Sequence, residues 1–435
     1  MENKAELKRT LSLFACVMIM ISSVIGSGIF TVPGEIMAAA QGSGTNFLAW
    51  IIAGVCVFLM ATVYIELAPA MPQAGGGYVY LNKAFGAKVA FFYGWGKMVN
   101  EVAVMALYAL ACTSYISFFI PLGTIESKVI GTIILIAAAS FNIAGVKKGS
   151  FITNILTVAK LAGLAIVIIG GLFVVKGANF QPVVSETAGW GAAAAAAVPA
   201  FFAFGGYNQL CYMSEEIKEP EKTLPRALLI GITCIVAIYL LLTFVCIGTL
   251  GVEGLANSDK SVAMAAAVIF GSVGGGVIAV CALTSILASL NAMFMSTPRV
   301  AFSMGRDGVY PFLMAKTHPK YDTPYVAISF YGIFAIVLLW LGSFSTLLMM
   351  CVFIARVMDV LVAASLMVLR KKFPEMPRPF KMKGYPVTLF IAIALCLFLA
   401  FQVPVQQMVY SIVLCIVGLP VYFITQYVNR KYLKN

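Results

Sequence analysis

Stretches of about twenty apolar residues recur along almost the whole of this 435-residue chain. A helix needs roughly 20 apolar residues to cross the ~30 Å hydrocarbon core of a bilayer, and only short polar segments separate these stretches. Hydrophobic residues make up 61% of the chain and charged residues 11%, which lies outside the usual composition of soluble globular domains. The sequence therefore predicts an all-α polytopic membrane protein without a separate soluble domain.

We predict twelve transmembrane helices. Their expected ranges are 13–30, 45–69, 91–120, 128–145, 153–175, 192–213, 227–250, 266–298, 324–342, 346–369, 385–403 and 408–427. The first stretch is too long for the apolar part of a signal peptide, and no A-x-A cleavage site follows it. We therefore expect this first helix to remain in the mature protein.

The basic residues are distributed unevenly between the two sides of such an arrangement. If both termini are cytoplasmic, the outer loops hold only Lys128, Lys176 and Lys260 of the 29 Lys and Arg residues. Two more, Lys160 and Arg356, fall within spans, and the others lie in cytoplasmic segments or at their margins. Because cytoplasmic loops collect Lys and Arg, we predict a multi-pass protein of the plasma (cytoplasmic) membrane with both termini inside.

Composition also argues against several other classes. The net charge of +12 does not indicate nucleic-acid binding, because the basic residues sit in short loops between apolar spans. The ten cysteines are scattered singly without a C-x-x-C pair and are read as small core residues. The single histidine, His318, lies in a loop, so no H-E-x-x-H cluster of a membrane enzyme can form. We predict no enzyme activity, no cofactor and no metal site.

Two spans contain glycine clusters near the middle of the membrane, where losing helical hydrogen bonds is costly unless other groups replace them. The clusters are Val24-Ile25-Gly26-Ser27-Gly28-Ile29-Phe30 in span one and Phe201-Phe202-Ala203-Phe204-Gly205-Gly206-Tyr207 in span six. Their matched positions predict two inverted repeats that each begin with a broken helix. The expected boundaries are a cytoplasmic tail at 1–12, repeats at 13–175 and 192–370, a basic cytoplasmic loop at 371–384, spans eleven and twelve at 385–427, and a second tail at 428–435.

An unwound stretch frees amides at the start of one half-helix and carbonyls at the end of the other, and these ends attract opposite charges. We predict that the amides of Ser27, Gly28 and Ile29 hold a carboxylate. The carbonyls near Val24, Ile25, Phe201 and Phe202 are expected to hold an ammonium group. The alternative is that the glycines serve close packing between helices, which is common in membranes.

Further motifs follow the two clusters in a characteristic order. They are Tyr64-Ile-Glu66 with Pro72-Gln-Ala-Gly75-Gly-Gly-Tyr78, Phe202-Ala-Phe-Gly-Gly-Tyr-Asn208, Glu215-Glu216-Ile-Lys-Glu-Pro220, Pro225-Arg226, Asn291 with Arg299, Arg306-Asp307-Gly308, Leu369-Arg370, and Arg378-Pro379-Phe380-Lys381. Together they resemble the amino acid–polyamine–organocation superfamily, and within it the L-amino acid transporter branch. The resemblance covers nearly the whole chain and is strongest for bacterial alanine–serine–cysteine exchangers and for the light subunits of heteromeric transporters.

This resemblance implies a LeuT-like five-plus-five inverted-repeat fold with substrate at the two breaks and spans eleven and twelve outside the core. The related light subunits join a heavy partner through a cysteine in the loop after span three. That loop, Pro121 to Ser127, contains no cysteine. We therefore expect a carrier that works without a disulfide-linked heavy subunit.

Lys160 lies too deep in span five to be an ordinary loop charge. In sodium-independent members of the resembled group, a lysine of this span stands in for the coupling cation. By that resemblance its ammonium should contact carbonyls near Ser22 and Ile25 and a hydroxyl of span eight, best Ser289; many relatives have glycine in place of Ser22. Burial lowers the pKa of a lysine, so proton coupling stays open, as does a side chain that reaches the membrane surface.

Other intramembrane ionisable residues are site hypotheses by default. Arg356 and Asp359 share one face of span ten and are expected to pair, although the resemblance also makes Arg356 a vestibule residue. Glu101 is expected to pair with Lys97, one turn earlier. Glu66 is interpreted as a structural or gating acid.

Aromatic residues beside the span-six break have competing interpretations, because most aromatic side chains in spans serve packing. Phe202 resembles the aromatic lid that closes over substrate in this branch, and Phe204 and Gly205 belong to the same predicted site. Tyr239 and Asn208 are expected either to bind the unwound segments or to contact substrate.

The sequence thus predicts a secondary carrier for small neutral L-amino acids, such as alanine, serine, glycine or cysteine, working by sodium-independent exchange. The predicted lining near the substrate side chain is uncharged, which favours a neutral substrate. Because of Arg356, an acidic or larger substrate remains an alternative. Proton-coupled uptake, or exchange of a cationic amino acid or amine, is the alternative.

Overall fold

The computed structural model describes residues 9–73, 75–186 and 189–432, except for the side chains of residues 27, 146–157, 159 and 429–432. Over these ranges the protein is helical, and its β structure is limited to one bridge between Leu11 and Ile217. The α-helices are α1 (Leu13–Val24), α2 (Ser27–Ala40), α3 (Ser43–Ala70), α4 (Gly77–Phe85), α5 (Ala87–Ile116), α6 (Thr124–Ile143), α7 (Val146–Leu172), α8 (Ala192–Ala203), α9 (Pro220–Ala256), α10 (Ser261–Ser296), α11 (Pro298–Arg306), α12 (Tyr325–Leu341), α13 (Phe344–Lys372), α14 (Val387–Phe401), α15 (Val405–Ile416) and α16 (Gly418–Tyr432).

Seven of the described helices are long and apolar enough to cross a membrane, and the bent pair Leu13–Val24 with Gly28–Ala40 makes eight. The prediction of an all-helical polytopic membrane protein is therefore confirmed. Four shorter apolar helices, Lys160–Leu172, Gly189–Ala203, Tyr325–Leu341 and Val387–Phe401, fall within the remaining predicted spans. The twelve-span count and the inverted repeat stay predictions.

The first predicted span is interrupted, and the helix that follows is longer than expected. Helix α1 starts at Leu13, where the Ser12 hydroxyl accepts a hydrogen bond from the Ala15 amide at 3.4 Å. It ends at Val24, because Gly26 has φ −107° and ψ −136°, which is not helical. The chain then bends by 43° and continues as α2 to Ala40, so the predicted end at residue 30 is wrong.

The sixth predicted span, residues 192–213, is also not one continuous helix. Helix α8 ends at Ala203, where the Phe204 and Gly205 amides donate to the Phe201 and Phe202 carbonyls at 3.0 and 2.9 Å. Gly206 follows with φ +97°, a conformation that favours glycine. Beyond it, Gln209–Glu216 forms a 3₁₀-helix, so the second half of this span is not α-helical as predicted.

Three other predicted spans differ in their limits. Helix α9 extends beyond 227–250 at both ends, and α10 begins before residue 266 but ends at Ser296. Each contains one glycine with a positive φ, Gly251 at +75° and Gly271 at +77°. The last span divides between α15 and α16 next to Val417. Apolar composition marks a span well, but it does not locate the glycine at which the helix axis changes.

Packing of the helices brings the two broken stretches into contact. Helix α8 packs against α2 and α3, while α1 packs against α9 and α7 against α10. A Cβ added to Gly28 at the start of α2 would lie 2.6 Å from the Ala203 Cα atom at the end of α8. A Cβ on Gly206 would lie 2.7 Å from the Ser23 carbonyl oxygen. The glycines therefore allow main chain to approach main chain where the two spans unwind.

Candidate functional site

A cavity lies beside the two adjoining breaks. Helices α1, α2, α5, α8 and α13 and the segment 205–209 contribute to its wall. The predicted site residues that line it are Val24, Gly28, Phe201, Phe202, Gly205, Asn208 and Arg356. Other lining residues include Tyr93, Lys97, Asn100, Glu101, Tyr108, Gln209 and Asp359. Main chain from both breaks and side chains from α5 and α13 therefore face one space.

The amides predicted to hold a carboxylate lie at the first turn of α2. Ser27, Gly28 and Ile29 are the first three residues of this helix, so their N–H groups precede its first internal hydrogen bond. Gly26 occupies the N-cap position and offers no side-chain acceptor. This helix start has the character of an anion site, although its binding role remains a prediction.

The carbonyls predicted to hold an ammonium group differ in the hydrogen bonds that they already accept from the protein. The Val24 carbonyl accepts from the Gly26 amide at 2.8 Å and from the Tyr239 hydroxyl at 3.1 Å. The Ile25 carbonyl accepts from the Lys160 ammonium at 2.7 Å and from the Ser285 hydroxyl at 3.1 Å. Because the protein itself occupies the Ile25 carbonyl, that group is a poor candidate for holding substrate.

Lys160 is completely buried against the end of α1. Besides the Ile25 carbonyl, its ammonium donates to the Ser22 carbonyl at 3.2 Å. The Ser289 hydroxyl of α10 donates to the same two carbonyls, at 2.7 Å to Ser22 and 3.3 Å to Ile25. Lys160 and Ser289 thus share acceptors, whereas the expected contact was between the lysine and the hydroxyl. The lysine side chain thus occupies carbonyls at the break of span one.

Tyr239 of α9 joins the two breaks directly. Its hydroxyl donates to the Val24 carbonyl at 3.1 Å or to the Ala203 carbonyl at 2.8 Å, so it binds the unwound segments, one of its two predicted roles. Asn208 instead donates to the Tyr64 hydroxyl at 3.0 Å, while its side chain still lines the cavity. Among the described residues, the Asn208 side chain hydrogen-bonds to Tyr64 and not to the unwound main chain.

The two phenylalanines that flank the second break face different surroundings. Phe202 lines the cavity. Phe204 does not; its ring packs against Trp50 and Tyr239, with centroid distances of 5.9 and 5.1 Å. Phe204 therefore fits a packing role rather than the predicted substrate contact. Ile25 and Ile29 are also buried away from the cavity lining.

The expectation of an uncharged lining is wrong. Lys97 forms an ion pair with Glu101 on α5, and Arg356 pairs with Asp359 on α13 at 2.7 Å. Both pairs line the cavity. The sequence marked these residues as intramembrane charges, but only the packing of α5 and α13 beside the breaks brings them into one space.

Arg356 pairs with Asp359, as its helical spacing predicted, and also lines the cavity; its role as a vestibule residue stays a prediction. Its guanidinium carbon lies 3.2 Å from the centroid of the Phe201 ring, a cation–π arrangement. The carboxylate of Asp359 also accepts from the hydroxyls of Tyr207 at 2.8 Å and Tyr64 at 3.2 Å. This network connects α13 to α3 and to the second break.

A second set of ion pairs lies where α3 ends and α4 and α11 begin. Glu66 is fully buried and accepts from Arg370 at 2.8 and 2.6 Å and from the Met382 amide at 2.7 Å. Arg299 pairs with Glu216 at 2.9 Å. The Tyr78 hydroxyl donates to Asp307 at 2.9 Å. These contacts join both predicted repeats at one end of the bundle.

Comparison with known families identifies the chain. The family described as amino acid permease matches residues 11–423. The chain belongs to the amino acid permease family. This family transports its substrates and does not transform them, so the prediction of no enzyme activity and the predicted superfamily are both confirmed.

Curated relatives of this permease match it over nearly their whole lengths. It is 29% identical to the serine/threonine exchanger SteT of Bacillus subtilis (strain 168), over 96% of this chain and 97% of the relative. It is 28% identical to the methylthioribose transporter of the same organism, with 96% and 93% covered. It is 29% identical to the large neutral amino acids transporter small subunit 2 of Mus musculus, with 98% and 82% covered.

Several cavity residues of this permease were not identified from sequence. Asn100, Tyr108 and Gln209 line the cavity, but none of them belongs to the motifs from which the site was predicted. Lys97 was assigned to a span margin, yet its side chain is only 8% exposed. The spacing of Lys97, Asn100 and Glu101 places them on one helix face and could have marked that face as polar. The spacing does not reveal which helix this face packs against.

Proposed function

We propose that this permease is a sodium-independent exchanger of small neutral L-amino acids such as alanine, serine, glycine or cysteine, working by alternating access. The cavity at the two adjoining breaks is the single observation that carries the proposal. The start of α2 offers three amides to a carboxylate. The carbonyls at the end of α8 already accept from the Phe204 and Gly205 amides and the Tyr239 hydroxyl, and a second lone pair on each can accept from an ammonium group. A zwitterion matches both ends without a charged side chain for either.

Lys160 supports transport without sodium. Its ammonium stands against the Ser22 and Ile25 carbonyls, which are the type of ligand that a sodium ion takes at an unwound helix. A second cation at the same carbonyls would be repelled by the fixed ammonium charge. The break of span one can then keep its shape without a bound metal ion.

The wider assignments fit this function. We propose twelve spans in two inverted repeats, the first at 13–175 and the second at 192–370, with both termini in the cytoplasm and the protein in the cytoplasmic membrane. The name of the serine/threonine exchanger SteT, a relative of similar length, agrees with a small substrate and with exchange. The cysteine-free loop from Pro121 to Ser127 favours action without a disulfide-linked heavy subunit.

Uptake by purified protein in liposomes tests the proposal. We expect uptake of labelled alanine and serine only into liposomes loaded with a transported amino acid, with equal rates in sodium and potassium buffers. Uptake into empty liposomes that depends on an inward proton gradient would favour proton coupling instead. Sodium dependence would contradict the role given to Lys160.

The substrate panel should also contain arginine, glutamate, leucine and methylthioribose. Glu101 and Asp359 in the cavity wall provide the specific observation for a cationic substrate, the second candidate. Each of these carboxylates is paired with a cation, so we expect neutral substrates to exchange faster than arginine. Methylthioribose is included because one relative carries that name. If it alone is transported, the zwitterion site is refuted.

A further inference from the structure

The cavity wall that faces the breaks carries two buried ion pairs on different helices. The Lys97–Glu101 pair lies on α5, with side-chain exposures of 8% and 6%, and the Arg356–Asp359 pair lies on α13, with exposures of 1% and 4%. Removing such pairs from water is costly unless the remaining donors and acceptors find partners. The pair whose charged groups have fewer hydrogen-bond partners within the protein is therefore the better candidate for binding a ligand.

The pair on α13 has more partners within the protein, although the Arg356 Nε has no hydrogen-bond partner among the described residues. Asp359 accepts from Arg356, Tyr207 and Tyr64. The Arg356 guanidinium carbon lies 3.2 Å from the centroid of the Phe201 ring, and one guanidinium nitrogen lies 3.7 Å from the Cys396 sulfur. These contacts hold both groups in place, so this pair is suited to positioning Phe201 beside the second break.

The pair on α5 has fewer partners. Among the described residues, the Lys97 ammonium hydrogen-bonds only to Glu101, although it carries three protons. The Glu101 carboxylate receives one further, long contact from the Gln209 amide at 3.5 Å. Lys97 and Glu101 therefore retain donor and acceptor capacity, and both line the same cavity as Gly28 and Phe202.

An ion pair with spare capacity distinguishes substrates by the polarity of their side chains. The formal charges of Lys97 and Glu101 cancel, so a charged side chain would leave one charge uncompensated. An apolar side chain would displace water from both groups and return no hydrogen bond. A hydroxyl or carboxamide can accept from Lys97 and donate to Glu101.

We propose that the Lys97–Glu101 pair is a specificity determinant that selects amino acids with polar, uncharged side chains over apolar ones of the same shape. This inference rests on the proposed transport of amino acids through the cavity. Within the proposed class it places serine above alanine and glycine, and it adds threonine, asparagine and glutamine as expected substrates. Alanine, valine and leucine become weaker substrates.

Threonine and valine have nearly the same shape and differ by a hydroxyl in place of a methyl group, so they isolate this effect. Labelled threonine and labelled valine should be offered to wild-type protein in liposomes loaded with serine. We expect kcat/KM for threonine to exceed that for valine by at least about tenfold, since a site that hydrogen-bonds its substrate discriminates strongly against an analogue without the polar group. Equal values would overturn the inference.

The double variant Lys97→Met/Glu101→Met removes both charged groups and keeps unbranched side chains. The ratio of kcat/KM for threonine to kcat/KM for valine should fall towards one in this variant, mainly because valine uptake rises. The matched control Lys222→Met/Glu219→Met removes an exposed pair far from the cavity and should leave the ratio unchanged. An unchanged ratio in folded Lys97→Met/Glu101→Met protein would refute the assigned role.

The nearly isosteric variant Glu101→Gln keeps the test decisive if the double variant fails to fold. It leaves the Lys97 charge uncompensated, so kcat/KM for aspartate should rise at least about tenfold relative to kcat/KM for asparagine. No gain in aspartate would contradict the proposal. Failure of wild-type protein to transport any amino acid would instead refute the proposed function, and the two failures are therefore distinguishable.

Discussion

The ammonium nitrogen of Lys160 lies 2.7 Å from the carbonyl oxygen of Ile25, the residue that caps the C-terminal end of α1. This contact places a protein cation on main-chain groups that have lost their helical partners. It links span five to the region where span one changes direction. The shape of the break is therefore tied to a residue far away in the sequence.

Lys160→Ala removes one donor from the Ser22 and Ile25 carbonyls, which still accept from the Ser289 hydroxyl. Loss of a hydrogen bond from a charged donor costs about 1.5–3 kcal/mol, and the break loses the ammonium that holds its shape, so we expect exchange to fall at least about tenfold while the protein still folds. Exchange in liposomes measures the effect. Lys128→Ala, which removes an exposed donor to the Trp340 carbonyl, is the control, and a wild-type rate for Lys160→Ala would reject the role assigned to this lysine.

Phe202→Ala opens the cavity wall beside the second break. We expect a higher apparent KM for substrate and a modest change in stability, because this ring faces the cavity. Phe204→Ala removes the same atoms from the cluster with Trp50 and Tyr239. It should destabilise the fold by about 3 kcal/mol and leave the KM of the folded fraction unchanged. Concentration-dependent uptake measures KM and thermal unfolding measures stability. A raised KM for Phe204→Ala with a destabilised Phe202→Ala would contradict the roles given to these two residues.

Gly28→Ala adds a methyl group where the Ala203 main chain is only 2.6 Å away. The two breaks must then separate, which should cost about 1–3 kcal/mol and weaken substrate binding at the amides of α2. Gly177→Ala is the matched control, because a Cβ at that position meets nothing within 4 Å. Substrate-dependent thermal shift reports both effects. Normal binding by Gly28→Ala would show that the close approach is not needed.

Arg356→Met leaves the buried Asp359 carboxylate without its cation. Breaking a buried pair costs about 3–5 kcal/mol, mostly because one charge stays unpaired. Adding Asp359→Asn should restore part of the lost stability, so the two effects are not additive. Thermal unfolding in detergent completes this double-mutant cycle. Removing the exposed Lys222–Glu219 pair should cause no measurable change, and strictly additive effects at Arg356 and Asp359 would argue against a coupled pair.

Tyr78→Phe removes a hydrogen bond to Asp307 outside the spans. Burial, followed by the nearby Asp307 carboxylate, raises the pKa of Tyr78, whereas an unfolded tyrosine has a pKa of about 10. The bond, worth about 1.5 kcal/mol, therefore stabilises fully below pH ~10 and is lost as the pH rises further. The stability difference between wild type and Tyr78→Phe should be constant from pH ~6 to ~9 and narrow above pH ~10. A difference that changes near neutral pH would implicate another group.

The sequence by itself determined the membrane class, the family and the two breaks. Apolar length, glycine clusters and the order of short motifs are local properties, and a bilayer allows few alternatives for a chain of this kind. The burial of Lys160 beside the first break followed from its depth in span five together with the family resemblance. The pairing of Arg356 with Asp359 and of Lys97 with Glu101 followed from helical spacing alone.

Only the tertiary structure decided which of these groups share a space. Helical spacing fixes the face on which a side chain lies, but not the helix that this face meets. The polarity of the cavity was therefore wrongly predicted, since Lys97 and Glu101 on α5 reach the breaks only after α5 packs beside them. For the same reason the sequence placed both Phe202 and Phe204 in the predicted site, whereas Phe202 faces the cavity and Phe204 packs against Trp50.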